Sequence, residues 1–377
     1  MRIVLVNTFL ILFTLSVFGQ TQKRLLQDPV GSEVAREAVH LVFNYEFEEA
    51  EKQILKFENL GYQDHPGSAL LHALVINMRM MFELENKSFG SEFEDYLSKA
   101  IDQGNAMMRA EPDSEEATFF VMFGHSYLAF FYSELNQTSK AIGESKKAYK
   151  FLKKGFELQE QNPDFYLSSG LYNFYVEQYP IIRPIIKPLM SFFPPGNKTQ
   201  GIAYLKEAYA KGTFTQPVAL QYLQHVQMKY EKDYEAALPY GEIMVREYPG
   251  NYYFKSKYAL NLLFLERYDE AKVIINGLKN SDQEYFQMIG MTLNGVYYEK
   301  HSKNFDIARN NYRKAKEIGL KNEALSYDYL GICYAGFARM LDAEGETGLA
   351  KDYYKKCLEY SEYTEIIEEA KAYLKEY

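Results

Sequence analysis

Four stretches of the chain repeat one phrase, an aromatic residue, two further residues and an alanine. They are Phe47-Glu48-Glu49-Ala50, Tyr234-Glu235-Ala236-Ala237, Tyr268-Asp269-Glu270-Ala271 and Phe305-Asp306-Ile307-Ala308. Ala237 and Ala271 stand 34 residues apart, a period in the range of stacked helix-pair repeats. No other feature narrows the choice of fold as far. A single helix pair cannot bury its apolar face alone, so the units must stack and share one elongated core. The 377 residues then need not divide into two or three globular domains.

The order of elements follows from stops and caps. The first pair is expected over 32–43 and 47–60, the second over 68–84 and 91–109, and the third over 114–135 and 139–158. Asn162-Pro163 ends the third pair and begins the fourth. Its first helix, 164–178, is followed by a segment with Pro180, Pro184, Pro188, Pro194 and Pro195, which forbid a long regular helix. The returning helix is expected at 199–211, and later units at 216–247, 252–278, 282–318 and 323–360. A last amphipathic helix, 365–375 within a terminal segment 361–377, would cover the open end. No sustained period-two alternation bounded by turn dipeptides marks a strand. The expected fold is therefore all-α, an α-solenoid over 32–377 as one domain, interrupted by the Pro-rich insertion 179–197.

Several positions resemble the tetratricopeptide repeat (TPR) family. Tyr234, Ala237 and Pro249 match in one unit; Tyr258, Ala259, Leu262, Tyr268 and Ala271 match in the next; Leu330, Gly331 and Tyr334 match the first-helix signature in the eighth. Long early units, the helix Gly170-Leu171-Tyr172-Asn173-Phe174-Tyr175, the Pro-rich insertion and the return Gly201-Ile202-Ala203-Tyr204-Leu205 also look like exported bacterial proteins of this type. The chain departs from the pattern at Met244, Leu278 and Val296, where small residues are expected. The resemblance implies a right-handed superhelix of helix-turn-helix pairs with a concave ligand groove. It implies no catalytic residue.

Composition bears on partners. A net charge of −9 argues against nucleic acid, with no basic stripe expected to neutralise phosphates. With 34 Tyr, 26 Phe and no Trp, many hydroxyl-bearing rings should sit half-buried along a groove. Tyr172, Tyr175, Tyr222, Tyr253 and Tyr297, all on first helices, are the candidate groove residues. The segment 1–19, with Arg2 ahead of an apolar run, reads as a signal peptide cleaved before Gln20, followed by a short leader, 20–31. Retention of 1–19 as an anchor is the other possibility. Cys333 and Cys357 fall on two helices of one pair, where a disulfide or two buried thiols could form.

The six histidines include no pair at i and i+4 beside a carboxylate, so no metal site is expected. His125 reads as an interior imidazole with a partner. No Gly-x-Ser-x-Gly elbow occurs, and Gly196-Asn197-Lys198-Thr199 lacks the Gly-Lys pairing of a phosphate loop. The expectation is a protein that is not an enzyme and needs no cofactor: a protein-binding scaffold of the periplasm or cell envelope, holding a protein or peptide partner. A carbohydrate-binding or carbohydrate-active helical protein is one alternative. Another is a membrane-associated assembly factor using the insertion, whose Ile181, Ile185, Met190, Phe192 and Phe193 offer an apolar surface that plugs the groove, buttresses the fourth pair, or meets a partner or a membrane surface.

Overall fold

In a computed structural model, residues 23–80, 88–182, 184, 187–190 and 193–376 are described, and the expected signal peptide 1–19 lies outside them. Helices follow one another in antiparallel pairs: α1 (Pro29–Phe43) with α2 (Phe47–Phe57), α3 (Pro66–Met80) with α4 (Ser88–Ala110), and α5 (Glu115–Glu134) with α6 (Thr138–Leu158). In the fourth pair α7 (Phe165–Ile182) is separated from α9 (Lys198–Lys211) by the short α8 (Lys187–Met190). Then come α10 (Gln216–Val226) with α11 (Tyr234–Glu247), α12 (Tyr252–Phe264) with α13 (Tyr268–Lys279), α14 (Glu284–Lys300) with α15 (Phe305–Gly319), and α16 (Glu323–Ala343) with α17 (Thr347–Tyr360). The last helix is α18 (Thr364–Glu376). No β-strand occurs among the described residues, and the architecture is an all-α solenoid of stacked helix pairs.

The repeated alanines explain the close pairing. Ala50, Ala237, Ala271 and Ala308 are all fully buried, where a methyl lets neighbouring axes approach and larger residues interlock around it. Ala350 is also fully buried, three residues after Thr347, so the phrase recurs with threonine in place of the aromatic. A second regularity was hidden in the sequence. Tyr45, Asn136, Lys232, Glu266, Lys303 and Gly345 all have positive φ, and each stands two residues before the first residue of its pair's second helix. Five of these six are not glycine, so the left-handed conformation costs each about 1 kcal/mol and must be held by packing. Met244 and Leu278, large where the resemblance expects small residues, are nonetheless fully buried.

Some boundaries differ from expectation. α1 begins at Pro29, ahead of the expected start at 32, because Asp28 caps it by accepting from Val30 N and Gly31 N. The stretch before it is docked, with Leu25 buried and its N–H donated to Glu116 Oε1, 2.9 Å away. α7 runs through Pro180 to Ile182, since a proline near a helix end sacrifices one backbone bond only.

The stack also closes on itself, although an ordinary repeat array contacts only its neighbours. His40 Nε2 lies 3.0 Å from Glu247 O, and Asn44 Oδ1 accepts from Gly250 N at 2.7 Å. Asn251 Nδ2 donates to Phe43 O at 2.7 Å. The first pair thereby meets the fifth and sixth. Expected only to cover the open end, α18 packs on α17 and also reaches the turn before α11, where Lys232 pairs with Glu368 at 2.5 Å.

Candidate functional site

Closure of the stack gathers an aromatic cluster on the inner face. Tyr175 and Tyr179 lie one turn apart on α7, with ring centroids 4.9 Å apart. Tyr175 also meets Tyr222 of α10 edge-on at 6.2 Å and Tyr230 at 5.9 Å. His225, one turn beyond Tyr222, packs on Tyr230 at 5.6 Å. From α12 come Tyr253 and, four residues later, Lys257. Its Nζ lies 5.2 Å from the ring centres of Tyr253 and of Tyr329 on α16, a favourable arrangement for a desolvated cation. Tyr329 OH is 3.0 Å from Ser256 Oγ, and Tyr285 donates to Leu325 O at 3.1 Å.

The electrostatics of this cluster are divided between two lysines. Lys229 Nζ is bound to Asp328 Oδ2 at 2.9 Å and Glu362 Oε2 at 3.0 Å. Burial pulls its pKa down, but Asp328 and Glu362 hold it above the usual lysine value. Lys257 is also buried, and among the described residues no carboxylate lies within 4 Å of its Nζ. His225 is held well below its usual pKa, first by burial and then by Lys229 and Lys257, so its imidazole is neutral at physiological pH. Burial pushes the Tyr222 phenol up to about 12, leaving it a hydrogen-bond donor.

Three of the five candidate groove tyrosines, Tyr175, Tyr222 and Tyr253, come from three different pairs into this cluster. Tyr172 turns away: its hydroxyl donates to Pro194 O at 2.9 Å and its ring packs on Phe156 at 5.2 Å. Tyr297 sits between α13 and α14, with Lys272 Nζ 4.4 Å from its ring centre. In the insertion, Ile181 is 64% exposed, and Phe193 packs on Tyr149 of α6 at 5.2 Å. Met190 ends α8, its side chain, like Ile185 and Phe192, lying outside the described residues. The return segment is seated against α7, where Lys198 N donates to Glu177 Oε2 at 3.0 Å. Sequence reasoning missed Lys257, Tyr329 and Lys229. The i, i+4 spacing of Tyr253 and Lys257 was the available signal, but the partner ring on α16 is 72 residues beyond Lys257.

A second inner feature lies under α18. A cavity of about 130 Å³ is lined by Leu260, Phe264, Val296, Ile332 and Ile366, with Arg339 and Glu369 at its polar end. Arg339 grips Glu299 through Nε and Nη2 and Glu369 through Nη1, the latter at 3.1 Å. Tyr312 OH donates to Glu299 at 2.7 Å and Tyr354 OH to Glu369 at 2.8 Å. Glu299 and Glu369 are thus each taken by a cation and a phenol, while Glu266 and Glu365 also line the cavity. Cys333 and Cys357 are buried free thiols, each pushed up to about 12 by burial; of the two sequence alternatives, the pair of thiols is found. His125 Nδ1 is 2.5 Å from Glu144 Oε2, an interior imidazole with its partner. No group of three His, Cys, Asp or Glu side chains that could hold a metal occurs among the described residues.

No family model matches the chain, and no curated protein matches it. Among solved structures it is similar to yeast Tom70, at 13% identity over 91% of this chain and 81% of that one, with a TM-score of 0.41. It is also similar to the human IFIT1 dimer with m7Gppp-AAAA, at 14% identity over 92% of this chain and 85% of that one, with a TM-score of 0.37. The solenoid assignment rests on the helix packing described above.

Proposed function

We propose that the chain is a non-catalytic scaffold that holds a peptide or protein partner against its tyrosine-lined inner face. The observation that carries this is an aromatic cluster drawn from separate pairs, with Tyr175 against Tyr222 and Tyr230 and Lys257 over Tyr253 and Tyr329. Flat amphipathic rings beside a buried cation suit side chains and main-chain carbonyls of a polypeptide, and such aromatic anchors dominate interface energetics. A carbohydrate could also stack on these rings, but the carboxylates Glu299, Glu369, Asp328 and Glu362 are already bonded to cations, which suits them poorly to glycoside chemistry. Selection of displayed peptides on the purified protein tests the proposal. Enriched peptides should lose at least tenfold in affinity with Tyr222→Ala or Lys257→Met while the helical circular dichroism persists. Absence of enrichment, or enriched peptides indifferent to both substitutions, rules the inner face out.

We also propose that residues 1–19 direct export to the periplasm or cell envelope. The support is the basic residue followed by an apolar run ending at small residues. A mature N-terminus at Gln20 in protein recovered from an envelope fraction is expected; a cytoplasmic protein beginning at Met1 would contradict it.

A further inference from the structure

The net charge conceals one strongly basic face. Helix α6 carries Lys140, Lys146, Lys147, Lys150, Lys153 and Lys154 against only Glu144 and Glu157. Lys146, Lys150 and Lys153 recur at four- and three-residue steps, which places them in one stripe of an α-helix, and all three are exposed. Ala148 and Gly155 are the buried residues of this helix, so the stripe points away from the core. Among the described residues no carboxylate lies within 4 Å of Lys146, Lys150 or Lys153. The expectation that this acidic chain has no basic stripe is therefore corrected: the stripe exists, and summed charge hid it.

Apolar side chains border the lysines. Ile142 is 51% exposed one turn before Lys146, and Phe130 and Leu135, near the same tip of the α5–α6 hairpin, are 61% and 48% exposed. Two turns beyond Ile142 on the same face, Tyr149 lies under Lys153 and against Phe193 of the insertion. Ile181, at the insertion's start, is more exposed still. No helix among the described residues is long and apolar enough to cross a membrane, so any lipid contact made by this face is peripheral.

We infer that the outer face of α6, with the tip of the α5–α6 hairpin, docks the protein on an anionic phospholipid surface. Lysines in a line supply attraction to lipid phosphates, and adjacent exposed Phe and Ile supply the second signal by entering the headgroup–acyl boundary. A nucleic-acid backbone would use the lysines but give Phe130 and Ile142 nothing to bury, which favours the bilayer. The surface shares no residue with the tyrosine cluster, and the inference stands independently of the peptide-binding proposal.

The test is binding of the purified full-length chain to vesicles of phosphatidylcholine with 30% phosphatidylserine, and to phosphatidylcholine alone. Comparing variants with wild type in the same full-length form cancels any contribution of residues 1–19. Anionic vesicles should be preferred, and Lys146→Ala, Lys150→Ala and Lys153→Ala together should weaken binding by roughly 100-fold. Phe130→Ser with Ile142→Ser should weaken it at least fivefold with all lysines intact. Equal binding to both vesicles, or a triple variant that binds like wild type, overturns the inference. So does a single-stranded oligonucleotide that binds through the lysines while Phe130→Ser and Ile142→Ser leave vesicle binding unchanged.

Discussion

Replacing Asp164 by alanine removes the acceptor that closes the turn between α9 and α10. One oxygen, Asp164 Oδ1, accepts from Thr213 N at 2.9 Å, Phe214 N at 2.9 Å, Thr215 N at 3.1 Å and Thr215 Oγ1 at 2.7 Å. The carboxylate stands just before α7, so it ties the fourth pair to the fifth across the insertion. It also seats Phe214, whose ring packs on Phe120 of α5 at 5.3 Å. Each buried donor left without an acceptor costs about 1–3 kcal/mol. Three stranded amides, offset in part by removing a buried charge, give a net loss of about 3–5 kcal/mol. Asp164→Asn separates geometry from charge, because its amide oxygen can still accept. Burial raises the Asp164 carboxyl above its usual value even against four donors. For an acid raised on folding, stability falls as pH rises through the folded value, so the asparagine, which mimics the neutral form, should lie within about 1 kcal/mol of wild type at neutral pH. Amide hydrogen exchange is the suitable assay, since it reads Thr213, Phe214 and Thr215 locally in an array that need not unfold in one step. Alanine should lower their protection by roughly 100- to 5,000-fold, with asparagine near wild type. Unchanged protection in Asp164→Ala, or equal losses in both variants, would refute the role given to this oxygen.

Tyr312 lies between two glycines: a Cβ at Gly295 would come 2.5 Å from its Cε1, and one at Gly336 2.4 Å from its Cε2. Gly295→Ala and Gly336→Ala should each cost about 1–3 kcal/mol in urea titration, and the cost should shrink when Tyr312→Ala is made alongside; additive losses would contradict the packing argument. Arg339→Met should cost about 3–5 kcal/mol by leaving Glu299 uncompensated. Burial pulls the Glu299 pKa up, but Arg339 and Tyr312 outweigh it and hold it below the usual value. Its stabilisation is therefore complete above the unfolded carboxylate value and is lost as pH falls through the lowered folded one. Wild type should lose more stability between pH 7 and pH 3 than Arg339→Met, and identical pH profiles would show that the pair does not govern acid stability.

The helix pairs were legible because their signals are local. Asn304 before Phe305 caps α15 within four residues, and buried Ala308 follows in the same turn. The left-handed turns were not legible, since Tyr45, Lys232, Glu266 and Lys303 are residue types that adopt positive φ only when packing compels it. The candidate site was half visible. Tyrosine abundance pointed to an aromatic inner face, yet nothing near Tyr172 or Tyr297 in the sequence tells that they turn elsewhere. The lysine stripe of α6 was masked in the other direction, because a net charge sums acids over the whole chain.

By itself the sequence determined that the chain is helical, that its helices come in pairs, and roughly where each pair turns, because capping, periodicity and small-residue spacing act within one or two helical turns. Only the tertiary structure decided that Phe43 meets Asn251, that Lys257 lies between Tyr253 and Tyr329, and that α18 reaches Lys232. Those contacts depend on the small rotation each pair takes on its predecessor, summed over several units. That rotation is set by how individual side chains interlock, such as Tyr312 between two glycines, which no local pattern of residue types specifies.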